Sequence, residues 1–266
     1  MTQPSVRRPD GAVPPLQVAP GAGARVFRAA RRVRLGDVRP GDGARLDALA
    51  RYLQDVAADD IGETEVAGDH RWVVRRTRLE VRRRPRYKET VDLVTWCSGI
   101  GAAWAERRTS IVGSAGVAVE AVSLWVSLDP VTMRPAPLGE RFGLIHGPAA
   151  AGRSVAARLL HGPAPAGIPW RVWPLRVGDF DVLGHVNNTA GWAILEDELA
   201  RDAPGARVGT AEVEYRRAIG DGAEPGPLGQ VRVCSARWGD IMRVWVSDDA
   251  GEVALSAVAS LVALGG

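Results

Sequence analysis

The densest polar cluster in the chain is Asp179-Phe180-Asp181-Val182-Leu183-Gly184-His185-Val186-Asn187-Asn188. It places a carboxylate four residues ahead of an imidazole and two carboxamides at the start of an expected helix. Thioester hydrolysis needs these parts. A carboxylate such as Asp181 can orient or deprotonate a water, or can itself attack the carbonyl carbon. N–H donors at a helix N-terminus can hold the oxyanion that forms, with the helix dipole in support. Gly184 lets backbone and ligand approach closely. The same residues could serve a plainer purpose, with Asp181 closing an Asx turn and His185 capping the helix. A comparison within the chain favours chemistry.

The elements that must hold this cluster occur twice. Val33-Arg34-Leu35-Gly36-Asp37-Val38 is echoed by Leu175-Arg176-Val177-Gly178-Asp179-Phe180, at a spacing of 142 residues. The same spacing carries Tyr52-Leu53-Gln54-Asp55 onto Ile194-Leu195-Glu196-Asp197. Leu79-Glu80-Val81-Arg82-Arg83 returns as Val213-Glu214-Tyr215-Arg216-Arg217 at a spacing of 134. The ends agree as well, Val117 through Val126 with Val253 through Ala263. A changing offset with preserved order is what unequal loops between duplicated units produce. In the first copy Arg39 falls opposite Asp181, and Gly43 falls opposite His185. Only the second copy holds the reactive groups.

Each copy reads as a short strand, a helix and several long strands. The helices are expected over residues 44–60 and 187–202, the second capped by Asn187 or Asn188 and stopped by Ala203-Pro204-Gly205. The second is apolar on more than one side (Trp192, Ile194, Leu195, Leu199), as befits a helix enclosed by a curved sheet. The runs 71–81 and 91–96 read as strands. One helix cradled by an antiparallel sheet is the hotdog arrangement, so the expected class is α+β with two tandem hotdog domains. The expected limits are a flexible Pro- and Gly-rich lead over 1–25, domains at 26–130 and 170–266, and a linker at 131–169.

Composition narrows the function classes. The chain has 266 residues, 46% hydrophobic and 24% charged, which is globular rather than disordered. No apolar run reaches the roughly 18–20 residues of a membrane span, and no secretory signal follows Arg7 and Arg8. Cys97 and Cys234 are then expected as inert core thiols of a cytoplasmic protein. Lys88 is the single lysine, so the net charge of +3 rests on arginine. The run Arg82-Arg83-Arg84, with Arg75, Arg76, Arg78 and Arg86 nearby, reads as a solvated strand edge. No nucleic-acid-reading motif accompanies that charge. His70, His146 and His161 stand apart and suggest no metal site. The nine tryptophans, Trp72 and Trp125 among them, are core and sheet-face residues of which some could line an acyl tunnel.

Asp181-x-x-x-His185-Val186-Asn187-Asn188 resembles the Asp-x-Asn-x-His-Val-Asn-Asn signature of plant and bacterial acyl-acyl carrier protein (acyl-ACP) thioesterases. Glu214-Tyr215-Arg216-Arg217 resembles that family's Glu-Tyr-Arg-Arg strand. Leu53-Gln54-Asp55, Trp72-Val73-Val74-Arg75 and Thr95-Trp96 follow in the family's order, so the likeness spans about residues 26–263. The resemblance implies hydrolysis of acyl-ACP to free fatty acid and carrier thiol in fatty acid biosynthesis, without metal or bound cofactor. It implies Asp181 and His185 as the catalytic pair and an acidic carrier as partner, which the arginine run could receive. Leu183, Gly184, Asn187 and Asn188 would bind substrate or oxyanion, with Glu214 either structural or an auxiliary acid. Monomer and homodimer both stay open.

The sequence also departs from the family. Leu183 stands where a catalytic Asn is common, which leaves only its backbone N–H to serve. Ala218-Ile219 stand where the plant enzymes have Glu-Cys, and Gly191 stands where a Tyr is frequent. The alternatives are an acyl-CoA thioesterase, a hotdog dehydratase, or a non-catalytic acyl-thioester-binding protein.

Overall fold

Each half of the chain runs through the same elements in the same order. The computed structural model describes residues 18–220 and 229–262. The first half comprises β1 (Phe27–Arg32), α1 (Leu46–Gly62), β2 (Arg71–Val81), β3 (Thr90–Ile100), β4 (Trp104–Gly113) and β5 (Gly116–Leu128). After α2 (Gly139–Ala150) the second half repeats the series. It comprises β6 (Arg171–Pro174), α3 (Asn188–Asp202), β7 (Arg207–Tyr215), β8 (Gln230–Trp238), β9 (Ile241–Ser247) and β10 (Val253–Val262).

The ten strands of the described residues form one antiparallel sheet in the order β1-β3-β4-β5-β2-β7-β10-β9-β8-β6. That order is a palindrome, with equivalent strands at equal distances from the β2–β7 seam. At the seam Arg78 lies opposite Glu212, its own counterpart at a spacing of 134. The molecule is a double hotdog whose halves join through an internal pseudo-two-fold axis.

The spacings read from sequence recur as hydrogen bonds. Arg39 N donates to Gly43 O at 3.0 Å, and Asp181 N donates to His185 O at 2.8 Å. Arg45 N reaches Asp37 O at 2.8 Å, as Asn187 N reaches Asp179 O at 2.7 Å. Ala44 N donates to Pro85 O and Val186 N to Ile219 O, both at 2.8 Å, combining the spacings of 142 and 134. The duplication thus extends to individual backbone contacts.

Helix α1 buries Leu46, Leu49, Ala50, Leu53 and Val56, an i, i+3, i+4, i+7 stripe that faces the sheet. Helix α3 does the same with Ala190, Trp192, Ile194, Leu195 and Leu199. Leucines and valines of both helices and most strands merge into one core across the seam. That shared burial, worth about 25 cal/mol per Å² of apolar surface, holds the halves together.

Three features differ from the sequence reading. The expected linker contains α2, whose Leu138, Phe142, Ile145 and Ala149 make an apolar face obscured in sequence by Gly139, Gly143, Gly147 and Pro148. The expected lead lies outside the described residues up to 17. Its end is held, since Gly21 N donates to Ala149 O and Arg25 pairs with Asp60 at 2.7 Å. The third difference concerns β2, which is a central strand paired on both sides and not a solvated edge. Arg75 spends its guanidinium on the carbonyls of Tyr215 and Arg216, at 2.9 and 2.6 Å, across the seam. Just beyond β2, Arg83 is bound to Glu89, and Arg84 to Glu196.

Candidate functional site

The segment from Asp179 to Asn187 is a closed turn bonded almost wholly to itself. Asp179 caps the preceding 3-10 turn, accepting Arg176 N at 2.7 Å. Asp181 Oδ1 accepts two backbone N–H groups, from Leu183 at 2.9 Å and His185 at 3.1 Å. Gly184 sits at φ +75°, a left-handed conformation that glycine adopts without strain. Gly220 packs so close to it that a Cβ there would meet Gly184 O at 2.8 Å. Only glycine at 220 lets the segment after β7 lie against the turn.

Asn187 is the N-cap of α3, its Oδ1 accepting Thr189 N at 2.9 Å and the Thr189 hydroxyl at 2.8 Å. The helix start is fixed from beneath by Tyr215, whose hydroxyl donates to Asn188 O at 2.9 Å. The same hydroxyl accepts Trp192 Nε1 at 3.0 Å. Burial pushes the Tyr215 phenol well above its ordinary pKa, so it stays a donor.

This geometry sorts the expected oxyanion donors. The N–H of Leu183 goes to Asp181 Oδ1, that of Gly184 to Asp181 O at 3.0 Å, and that of Asn187 to Asp179 O. His185 and Val186 N–H groups are used as well. The Leu183 backbone N–H is thus engaged by the turn, and its side chain is 49% exposed. Gly184 and Asn187 also lack a free backbone donor. Of the four expected donors, Asn188 is the one whose N–H has no acceptor among the described residues; the N–H of the exposed Val182 in the same run has none either. The half-buried His185 ring and Asp181 Oδ2 likewise carry no protein hydrogen bond among the described residues.

Asn188, Thr189 and Trp192 line a narrow cleft between the helices, facing Ala50, Leu53 and Gln54 of α1 and Val74, Thr77, Ser123 and Trp125 of the sheet. Gln54 and Trp125 also line a neighbouring cavity of about 250 Å³ in the first half. Ala57, Ala58, Ile61, Trp72, Cys97, Ala105 and Phe142 make its wall mostly apolar. Two of the tryptophans thus line the space expected of an acyl chain, and the others serve elsewhere. Burial pushes the Cys97 and Cys234 thiols up to about 11, so neither is a reactive thiolate.

Glu214 is not part of this site. Alternation along β7 sends Tyr215 toward α3 and Glu214 to the opposite face of the sheet. There the fully buried Glu214 carboxylate accepts Leu160 N and His161 N at 2.5 and 3.0 Å, pinning the segment that joins the halves. His161, distant from both acids in sequence, completes a cluster with Glu212 and Glu214. Its ring already bonds Ser256 Oγ at 3.0 Å and Glu212 at 3.1 Å, and Arg216 stands 3.8 Å from Glu214. The group is a satisfied clasp.

Known proteins resemble the chain at three levels. Residues 24–142 match the acyl-ACP thioesterase N-terminal domain family. An uncharacterised protein of Mycobacterium tuberculosis is 28% identical over 211 residues, covering 74% of this chain and 79% of that one. The 12:0-ACP thioesterase of Umbellularia californica superposes with a TM-score of 0.70 at 22% identity, covering 89% of this chain and 97% of that one. An acyl-ACP thioesterase of Bacteroides thetaiotaomicron does so at 0.68 and 17% identity, covering 89% and 98%. Residues 24–142 thus match the N-terminal domain of acyl-ACP thioesterases, and the chain shares its fold with these structures along most of its length.

Proposed function

We propose that the chain hydrolyses acyl-ACP to a free fatty acid and the carrier thiol, with chemistry at the start of α3. The observation that carries the assignment of the site is the free Asn188 N–H, three residues after His185 in the turn that Asp181 closes, opening on a cleft that abuts an apolar cavity. The acyl chain lies in the cavity of the first half and the thioester lies in the cleft.

Asp181 is spent on the turn through Oδ1, which leaves Oδ2 for water. Water adds to the thioester carbon as Oδ2 takes one of its protons. The carbonyl π electrons move onto oxygen, which Asn188 N–H and the α3 dipole stabilise. Collapse breaks the C–S bond, and sulfur leaves with a proton from His185. The donor is the His185 imidazolium, which is left as neutral imidazole and is re-protonated by the proton passed from Asp181 through solvent.

Missing family residues do not empty the site. Ala218 and Ile219 lie beside it because Val186 N is bonded to Ile219 O, but they offer no acid or thiol. The reading therefore assigns the proton transfers to Asp181 and His185 alone. The acidic carrier docks through exposed positive charge on the strand-to-turn segment before Ala218, Arg217 above all, which pairs with Asp248 at 3.2 Å and stays half exposed. Among the described residues no helix is long and apolar enough to cross a membrane. Two buried, unpaired cysteines suit a reducing compartment, and we place the enzyme in the cytoplasm as a monomer or a homodimer.

The test is thiol release from matched acyl-ACP and acyl-CoA substrates, beside dehydration of a 3-hydroxyacyl thioester. The reading expects faster release from acyl-ACP. Faster turnover of acyl-CoA, loss of water from the hydroxyacyl substrate, or tight binding with no turnover would each replace it.

A further inference from the structure

One polar side chain at the cleft has no part in the mechanism above. Gln54, on α1 of the half without Asp181 and His185 equivalents, lines both the cleft and the apolar cavity. Its carboxamide has no hydrogen-bond partner among the described residues. A half-buried amide without a partner, at the mouth of an apolar cavity, costs stability unless something there uses it.

The pseudo-two-fold axis supplies a comparison for it. Gln54 and Glu196 are counterparts at the spacing of 142, as are Leu46 and Asn188. Glu196 reaches from α3 to the start of α1, where its Oε2 accepts Leu46 N–H at 2.8 Å. Its Oε1 accepts Arg84 at 2.7 Å, with Arg39 at 3.6 Å. In the first half, then, a carboxylate oxygen occupies the first N–H of the helix. In the second half the equivalent N–H, that of Asn188, has no acceptor among the described residues, and the counterpart residue, which lines the same cleft, is a neutral amide. Glu196 Oε2 marks where an oxygen with negative charge sits relative to such a helix start.

We infer that Gln54 is a substrate-binding residue whose carboxamide N–H donates, together with Asn188 N–H, to the carbonyl oxygen of the thioester. This rests on the assignment of the site to the start of α3. The amide adds a second donor to the oxyanion hole, supplied by the half that has lost the reactive groups. A glutamate at 54 would act as Glu196 does in the first half. Its carboxylate would take the Asn188 N–H and oppose the charge that develops on the substrate.

The experiment measures kcat, KM for acyl-ACP and Tm for wild type, Gln54→Ala, Gln54→Glu, Trp125→Phe and Asp181→Asn. Gln54→Ala is expected to lower kcat by about 100-fold, the scale of a lost oxyanion donor, with KM nearly unchanged. Gln54→Glu should lower kcat at least as far while raising Tm, because a carboxylate then caps α3. A residue that merely packs would lose Tm and activity together, and that result overturns the inference. So does wild-type kcat in Gln54→Ala. A loss confined to Trp125→Phe also overturns it, since the buried Trp125 indole N–H has no partner and would then be the second donor. If Asp181→Asn is inactive while Gln54→Ala is unimpaired, only the assignment of Gln54 falls. If Asp181→Asn matches wild type, the site itself has been misplaced.

Discussion

Tyr215 donates its phenolic hydrogen to Asn188 O at 2.9 Å, so the last residue of β7 holds the first residue of α3. The link is buried and completed by Trp192, and it anchors the first turn of α3, which carries the Asn188 N–H. Tyr215→Phe should cost about 1–2 kcal/mol in a denaturant melt, since it strands an acceptor and an indole donor in the core. It should also lower kcat by roughly tenfold, because small misplacements of a donor are amplified at the transition state. Loss of stability with unchanged kcat would show that α3 is positioned by other contacts.

Glu214 binds the segment that joins the halves, through the Leu160 and His161 N–H groups. Glu214→Ala leaves the Leu160 and His161 N–H groups without an acceptor, and should destabilise the protein by about 2–5 kcal/mol. The folded fraction should keep wild-type kcat for acyl-ACP. A kcat lost at full folding, followed by circular dichroism, would return Glu214 to the catalytic set.

Trp72 closes the cavity wall opposite Ala57 and Ile61 and packs on Phe142 at 5.4 Å between ring centroids. Trp72→Ala should extend the space and shift preference toward longer acyl chains in a competition among acyl-ACPs. It should cost about 3–5 kcal/mol of stability, as large-to-small aromatic changes do. An unchanged chain-length profile would place the acyl chain elsewhere.

His146 of α2 is buried against Phe142, and desolvation lowers its pKa to about 4, despite the favourable pull of Asp60 from α1. Arg107 of β4 and Arg25 push in the same direction as burial. The folded state therefore resists the proton that the unfolded chain accepts near its ordinary pKa of 6.5. Stability should be full above about pH 6.5 and should fall as pH drops toward about 4. His146→Phe should flatten Tm over that window, and a variant with the wild-type slope would assign the effect to other groups.

The sequence shows the duplication clearly because repeats survive as spacings. The offsets 142 and 134 reappear in bonds as specific as Val186 N to Ile219 O. The polar cluster was legible for the same reason, through its absence opposite Arg39 and Gly43. Other features depend on where distant strands meet. That β2 is central and not an edge follows from the seam with β7, which no local pattern encodes. The free state of Asn188 N–H, against the spent Leu183 N–H, is a matter of turn geometry two to four residues wide. Gln54 at the site and His161 beside Glu212 are contacts across a large sequence separation, invisible to periodicity.

The central claim, that Asp181 does chemistry rather than merely closing a turn, is tested most directly by kcat of Asp181→Asn on acyl-ACP. Asparagine keeps an Oδ1 that can accept the Leu183 and His185 N–H groups, so the turn and Tm should be preserved. Without the carboxylate, the water has no base, and kcat should fall by about 10²–10⁴-fold. A variant that keeps both Tm and near-wild-type kcat would reduce Asp181 to a turn-former and contradict the account.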